Sequence, residues 1–576
     1  MPQINISIED LVSMIDRGEL RLPEMQRRYV WRAPRVRDLL DSLYRGYPSG
    51  SILVWETDQE QPTHDLAVAQ QTNPFAGHKL LLDGQQRLTS LCAVLQGKPI
   101  QVRDRQREID ILFNLEHPDS MTEYSEVVGD EESMLTSEDE ADQVSDDEEV
   151  MGSSLAERIK QMTFVVANNA IAQQPNWVSV TKVFKSNDGE ILQGAGVTSF
   201  SDPCFVKYNE RLKKLRSIAK YTYVMHLLPR EMNYEEVAEI FVRVNSLGAK
   251  LRGSDLALAQ ITARWRNSLT LLEAFQDECE EKWMTLDLGL LVRAMVVFST
   301  GQCKFESVSR IPLTKLQKGW EDAKEGMRFA VNFLRTNAGI EDESLLSSPV
   351  FFITIAYFAH SRSQNLTPAD VKGLLYWLYA ANSRGRYSRG SSETILDQDL
   401  ALIKQGGSPA DLLDMVRKQF GRIDIEAADF IGRGAGSPLF SLVYLALKDN
   451  GAKDWKSGLG LSLTHQGRYH FIQYHHIFPK ALLKTTYEKQ EINEIANMAF
   501  VSGRKNREIG ASRPDEYLPE IVAEKGQEAL TRHAIPLDTA LYTLANFRQF
   551  LAARRDLLAS RVTDFMNSVK AGSDLG

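Results

Sequence analysis

A strongly acidic segment divides this chain and limits what can fold around it. Residues 118–149 contain fourteen Asp and Glu and no Lys or Arg. A segment with so much charge of one sign, few apolar residues and no helical stripe cannot bury enough surface to fold. We therefore interpret residues 116–153 as a disordered or weakly ordered acidic insertion. The alternative is a strip that mimics nucleic acid and competes for a basic surface.

The acidic segment also hides the charge of the remaining chain. Without its fourteen acids, 67 Lys and Arg stand against 63 Asp and Glu, so the formal net charge changes from −10 to +4. A mildly basic remainder permits a nucleic-acid partner without requiring one. The chain has 576 residues, of which 43% are hydrophobic and 25% charged. These values predict a soluble globular protein of two to four domains.

The sequence gives no sign of a membrane or an oxidising compartment. It has no run of eighteen apolar residues and no basic-then-apolar segment after Met1, so we expect neither a transmembrane helix nor a signal peptide. Its four cysteines are far apart and form no CxxC pair. A zinc knuckle or a disulfide framework is therefore not expected, and a cytoplasmic location fits.

A short motif near residue 85 joins a strand to a helix. The apolar run Lys79–Leu82 is followed by Asp83, Gly84, Gln85, Gln86 and Arg87. The free N–H groups of a helix N-terminus beside an arginine form a ready anion site. Alone, however, so short a motif favours an ordinary strand-to-helix turn with a solvated arginine.

A second motif lies near the C-terminus, where adjacent His475 and His476 are followed by Ile-Phe-Pro, and then by Asn497 and Asn506. A histidine can deprotonate water near neutral pH. A neighbouring imidazole and an amide oxygen can hold a hydrated Mg²⁺ against a phosphate. Two short strands, 461–463 and 469–474, are predicted to lead into the histidines. A His-His pair alone is more often a surface or core feature, but the two asparagines at this spacing favour a site.

The region between the two motifs reads as helical. Helix starts are marked by an N-cap residue before a proline, at Thr367-Pro368 and at Ser408-Pro409. The basic loop 384–390, with arginine, tyrosine and glycine, suits a phosphate backbone. It could equally be an ordinary helix–helix connection.

Three motifs in one order carry a first family resemblance. They are Gln26-Arg27, the segment from Asp83 to Arg87, and Arg243 with Asn245. Together they resemble the "DGQQR" family of ParB/sulfiredoxin-like domains found in GmrSD-type and SspE-type restriction enzymes. The resemblance covers roughly residues 1–265 and implies binding and hydrolysis of a nucleoside triphosphate, with sensing of modified DNA.

The resemblance also implies which residues bind the nucleotide. The expected phosphate site is lined by Asp83, Gly84, Gln85, Gln86 and Arg87, with Gln26, Arg27, Arg243 and Asn245 nearby. Asp83 and Arg87 are the expected catalytic members, because an arginine can contact phosphate bidentately and an aspartate can position water or metal. The chain has no Walker A motif.

The C-terminal region, residues 431–576, resembles the HNH nuclease half of the same proteins. The resemblance implies a ββα-metal site in which His475 and Asn506 are the metal ligands. His476 is then the general base, and Asn497 braces the loop. His475 departs from the commoner carboxylate at its position. Because a neutral imidazole binds Mg²⁺ less readily, Mn²⁺ stays open as the metal.

We therefore expect an α+β protein with a ParB-like domain at 1–265, a helical connector at 266–430 and an HNH domain at 431–576. The predicted activity is an NTP-regulated DNA endonuclease that uses Mg²⁺ or Mn²⁺ and restricts foreign, modified phage DNA. One site cuts one strand, so nicking is expected, and double-strand breaks require a homodimer. The nucleotide is ATP, GTP or CTP. The alternatives are a nucleotide-gated DNA-binding regulator, or an NTPase whose HNH domain is inactive.

Overall fold

The protein divides into two compact units, Met1–Leu269 and Thr270–Gly576. The computed structural model describes residues 2–24, 26, 29, 31, 33–57, 63–64, 66, 68, 78–98, 100–102, 105–107, 109–118, 159–247, 253–281, 284–455, 457–463 and 472–571. Arg27 and the predicted acidic insertion beyond residue 118 lie outside these residues. Both units mix helices and strands, which confirms the predicted α+β class.

A mixed six-stranded sheet forms the centre of the first unit. Its strands are β1 (Gln3–Ser7), β2 (Leu20–Pro23), β3 (Ile52–Thr57), β4 (Thr63–His64), β5 (His78–Asp83) and β11 (Thr222–Leu228). Their order is β1-β11-β3-β5-β2-β4. The β11–β3 and β2–β5 pairs are parallel and the others antiparallel.

Helices cover both faces of this sheet. The described helices of the first unit are α1 (Ile8–Asp16), α2 (Ala33–Tyr44), α3 (Gln85–Gln96), α4 (Asn169–Ala172), α5 (Val180–Lys185), α6 (Asp188–Gly194), α7 (Phe205–Arg216), α8 (Tyr234–Leu247) and α9 (Gly253–Arg264). Because side chains alternate along a strand, Ile52 and Val54 join the core formed with α1, α2 and α3. Leu53 and Trp55 join the opposite core, formed with α8 and α9. The sheet is therefore buried on both sides.

Two smaller sheets complete the first unit. The three-stranded sheet has the order β10-β8-β9, and the other is the β6–β7 hairpin. The strands are β6 (Ile100–Val102), β7 (Arg105–Arg107), β8 (Ile111–Asn114), β9 (Phe164–Val166) and β10 (Trp177–Ser179).

The second unit is mostly helical. Its helices are α10 (Ser268–Glu280, which begins at the end of the first unit), α11 (Leu288–Thr300), α12 (Leu313–Asn332), α13 (Val350–Ser361), α14 (Pro368–Arg384), α15 (Ser392–Lys404), α16 (Pro409–Phe420), α17 (Pro438–Asp449), α18 (Lys480–Leu483), α19 (Lys489–Ile492), α20 (Gly503–Ile509), α21 (Pro514–Lys525), α22 (Glu528–Thr531) and α23 (Phe547–Ala571). Its strands are β12 (Ile472–His476) and β13 (Met498–Ser502). Among the described residues, no helix combines the length and the apolarity needed to cross a membrane.

The predicted helix starts in the connector are confirmed. Thr367 and Ser408 each cap a helix with a proline in its first turn, and an aspartate three residues later completes a capping box. The loop 384–390 connects α14 to α15; Arg384 pairs with Asp429 at 3.0 Å, whereas Arg389 is exposed. Arg386 is buried and pairs with Asp399 at 2.6 Å, so its guanidinium is turned away from solvent.

Candidate functional site

The two histidines lie on a two-stranded ribbon that runs into a helix. β12 pairs antiparallel with β13, which places His475 opposite Ala499 and His476 opposite Met498. Helix α20 follows β13 directly, and the Ser502 side chain caps it by accepting the Lys505 N–H. This is the strand–strand–helix order that the resemblance implied.

The predicted partner strand was wrong. Residues 461–463 form no strand, and β12 pairs instead with β13, about twenty residues further along the chain. The prediction took the nearest apolar segment as the partner strand. The actual partner is the segment whose side chains are buried in the core. Every residue of β13 is buried.

His475 faces the helical side of the ribbon. Its Nδ1 lies 2.8 Å from Oδ1 of Asn506 in α20, and its ring packs edge-on against Tyr517 at 5.9 Å between centroids. Burial lowers the pKa of His475 to about 4, so the ring is neutral at pH 7. Nε2 of His475 is buried and makes no hydrogen bond within the described residues.

His476 faces the opposite side, because neighbouring residues of a strand alternate. It shares this side with Tyr474, at 5.9 Å between ring centroids. Its Nε2 lies 3.2 Å from Oδ1 of Asn493, so Nε2–H donates and the lone pair is on Nδ1. Burial, followed by the positive charge of Lys480, lowers the pKa of His476 to about 3. Sequence reasoning missed Asn493, because it is one of several polar residues in a short turn.

Asn497 holds the turn that follows His476. It is fully buried, and its Oδ1 accepts the Phe478 N–H at 2.8 Å. Its Nδ2 donates to the carbonyls of Phe478 at 3.1 Å and Ile492 at 2.9 Å. Its own carbonyl accepts the Ile477 N–H at 2.8 Å. These four hydrogen bonds brace the turn at residues 477–478.

His475 and Asn506 fit a shared metal ion. Two neighbouring ligands of an octahedral Mg²⁺, each at about 2.1 Å, stand about 3.0 Å apart. The Nδ1–Oδ1 separation of 2.8 Å is close to this value. In the hydrogen bond to Asn506, Nδ1 of His475 carries the proton, because an amide oxygen only accepts. A metal ion between the two atoms would replace that proton, and the ring would be protonated at Nε2 instead. Within the described residues no three His, Cys, Asp or Glu side chains form a metal-binding group; His475 and Asn506 are the two side chains that would hold the ion.

The strand-to-helix turn of the first unit is organised around Arg87. Its guanidinium donates to the carbonyls of Ser49 at 2.5 Å and Ser51 at 2.8 Å, and it pairs with Asp83 at 3.0 Å. It also lies over the Tyr223 ring, at 5.6 Å from the centroid. Arg87 therefore holds the 49–51 loop against the turn, a structural task that the sequence did not reveal.

The rest of the turn is partly as expected. Gly84 is the N-cap residue of α3 and has a left-handed backbone. Because it is a glycine, it has no side chain that could cap the helix. Gln85 is buried, and the Gln86 side chain accepts the Trp31 N–H at 3.1 Å. Gln26 is buried and donates to the Leu81 carbonyl at 2.5 Å. Gln26 therefore ties the segment that follows β2 to strand β5, two residues before Asp83.

The two remaining predicted residues lie on α8. The Arg243 guanidinium is exposed and pairs with Glu239 one turn earlier, at 2.5 Å. Asn245 belongs to the same helix, but its side chain lies outside the described part. Phe241 of α8 packs on the face of β5 that carries Leu80 and Leu82. This contact places the helix on the same sheet as the turn.

Comparison with known proteins finds a family match within the first unit. Residues 8–262 match the family described as "GmrSD restriction endonuclease, N-terminal domain". The match covers less than half of the chain, and it makes this segment similar to the N-terminal domain of a restriction endonuclease. The chain is also 22% identical, over 555 residues, to the uncharacterized protein MJ0686 of Methanocaldococcus jannaschii. That similarity covers 91% of this chain and 88% of the relative.

Proposed function

We propose that this protein is an NTP-regulated, metal-dependent endonuclease that nicks foreign DNA. One observation carries the proposal: the ribbon β12–β13 and helix α20 give the two adjacent histidines different partners. His475 meets Asn506 at 2.8 Å, as a ligand pair would. His476 is oriented separately by Asn493, as a general base requires.

His476 is the proposed base. With Nε2–H donated to Asn493, Nδ1 can accept a proton from the attacking water. A pKa of about 3 makes a weak base, but the negative phosphodiester beside the ring raises it. A divalent ion held by His475 and Asn506 would supply charge stabilisation at the phosphate. Asn497 keeps the 477–478 turn, and with it His476, in place.

Two lysines flank the histidines and suit the DNA backbone. The positive charge of Lys480, at the start of α18, lowers the pKa of His476. The charge of Lys505, in α20, lowers the pKa of His475 in the same way. Because both ammonium groups are close enough to act on the rings, they are the proposed phosphate contacts.

The proposed nucleotide site is the turn from Asp83 to Arg87. A twelve-residue helix with glycine at its N-cap presents backbone amides to an anion. Arg87 shapes this site through the 49–51 loop, while Asp83 and Gln86 are its proposed contacts with phosphate-bound water or metal. Nucleotide binding here would regulate cleavage of modified DNA, and double-strand breaks would require a homodimer.

Plasmid nicking in the presence of Mg²⁺ or Mn²⁺ tests the nuclease. We expect His476→Ala to reduce the rate at least 100-fold, because general-base catalysis contributes about 10²–10⁴-fold. His360→Ala, a half-buried histidine of α13 against Phe298, is the matched control and should cleave as the wild type does. A His476→Ala protein as active as the wild type would end the assignment.

A rival is favoured by the neutral donors at the metal site. His475 and Asn506 bring no negative charge, so Mg²⁺ binding is weak, which suits an NTPase or nucleotide-gated DNA-binding regulator with an inactive nuclease. NTP hydrolysis by the wild type, by Asp83→Asn and by the control Asp41→Asn separates the two. The same proteins are tested on glucosylated, methylated, phosphorothioate and plain phage DNA. Turnover of NTP without cleavage of any DNA would favour the rival.

A further inference from the structure

We infer that Arg554 is a positioning residue for the proposed nuclease, because it fixes the backbone on both sides of Asn497. The inference rests on the proposed function. Arg554 lies in α23 and is fully buried. Its Nη1 donates to the Ala496 carbonyl at 2.9 Å, and its Nη2 donates to the Met498 carbonyl at 2.6 Å.

The same guanidinium also holds a second loop. Nε donates to the Ala534 carbonyl at 3.2 Å, and Nη2 donates to the His533 carbonyl at 3.2 Å. Ala534 has a left-handed backbone with φ of 52°, a conformation that is unfavourable for a residue with a Cβ. Arg554 thus ties this turn to the loop that carries Asn497.

Within the described part of the chain, the four hydrogen bonds of Arg554 end on backbone carbonyls. Arg386, another buried arginine of the same unit, is instead neutralised by Asp399. Burial lowers the pKa of Arg554 to about 9. A planar guanidinium, with several N–H groups in fixed directions, suits carbonyls that converge from two loops. The geometry therefore favours arginine at this position.

The contacts lead from Arg554 to the base in two steps. Fixing the carbonyls at 496 and 498 sets the orientation of Asn497 between them. Asn497 then holds the N–H groups of Ile477 and Phe478, directly after His476. Met498 is also the ladder partner of His476, so a shift at 498 moves the base itself.

Arg554→Lys tests this role, because lysine keeps the charge but cannot span both loops. Arg386→Lys is the control, since it weakens a buried arginine that does not touch residues 496–498. Single-turnover and steady-state cleavage of a plasmid with Mn²⁺ are measured at a temperature where both variants are folded. We expect Arg554→Lys to lower kcat at least tenfold with KM unchanged, because a small displacement of a catalytic group costs rate without loosening the substrate. Arg386→Lys should change kcat less than threefold.

Hydrogen exchange gives a readout that does not depend on cleavage. The amides of Ile477 and Phe478 should exchange faster in Arg554→Lys than in Arg386→Lys. If the wild type cleaves DNA but Arg554→Lys and Arg386→Lys have the same kcat and the same amide exchange rates, the inference about Arg554 is overturned while the proposed function stands. A wild type that cuts no DNA overturns the proposed function and the catalytic role of Arg554 with it.

Discussion

The brace formed by Asn497 gives a sharp test through Asn497→Asp. The change keeps Oδ1 as acceptor for the Phe478 N–H. It removes both donations from Nδ2, to the carbonyls of Phe478 and Ile492, and sets a carboxyl oxygen against them. Each buried acceptor that loses its donor costs about 1–3 kcal/mol. We therefore expect the 477–478 turn to lose about 3–5 kcal/mol of local stability at pH 7.5.

Hydrogen exchange followed by mass spectrometry measures this loss at the turn itself. Since 1.4 kcal/mol is a factor of ten, amides of residues 474–483 should exchange about 100-fold faster or more, up to the limit set by global unfolding. Asn450→Asp is the matched control, because Asn450 donates one hydrogen bond, to the Arg532 carbonyl at 3.2 Å. A rise below fivefold, equal to that of the control, would refute the role assigned to Asn497.

In Asn497→Asp the stability of the 477–478 turn should also depend on pH. Burial raises the pKa of the introduced carboxyl above its ordinary value of about 3.9. Below that value the carboxyl is protonated in the folded and unfolded states, so no charge penalty exists. As the pH rises, the penalty grows by about 1.4 kcal/mol per unit until the folded-state pKa is passed. The difference from the wild type should therefore be larger at pH 7.5 than at pH 5.5.

Three further predictions concern other parts of the chain. Gly50→Ala should destabilise the first unit by about 1–3 kcal/mol in thermal unfolding and weaken NTP binding, since a Cβ would lie 2.6 Å from Nη1 of Arg87; Gly46→Ala, with open space around it, should leave NTP binding unchanged. Burial lowers the pKa of His533 to about 4, so as the pH falls this histidine is protonated in the unfolded state before it is protonated in the folded state. The free energy of unfolding should therefore decrease by about 3 kcal/mol between pH 6.5 and pH 4. Urea unfolding of His533→Gln should show a smaller decrease over the same pH range. Lys480→Gln should raise KM for DNA and reduce its salt dependence, as measured by nicking at several NaCl concentrations.

The parts of the fold that follow from local patterns were predictable from the sequence. The apolar run before Asp83 and the glycine after it predicted a strand, a turn and a helix, which the structure contains as β5 and α3. The capped prolines at 368 and 409 predicted two helix starts. Local signals of this kind depend only on neighbouring residues.

Contacts between distant residues were not predictable. Arg87 was predicted to line a phosphate site, and the sequence did not indicate that it also donates to carbonyls almost forty residues earlier in the chain. Arg554 contacts residues 496 and 498 from a helix near the C-terminus, and no spacing rule connects them. Backbone carbonyls are present at every position, so the sequence cannot mark which of them an arginine will bind.

The alternation along β12 limits how this region can change in evolution. His475 and His476 point to opposite sides because they are neighbours in a strand. A substitution alters one side at a time, whereas inserting or deleting one residue between Tyr474 and the ribbon end would exchange the two sides. With an insertion, His475 would move to the side of Asn493. With a deletion, His476 would move to the side of Asn506. Among related chains, we therefore expect single substitutions in this strand to occur more often than changes in its length.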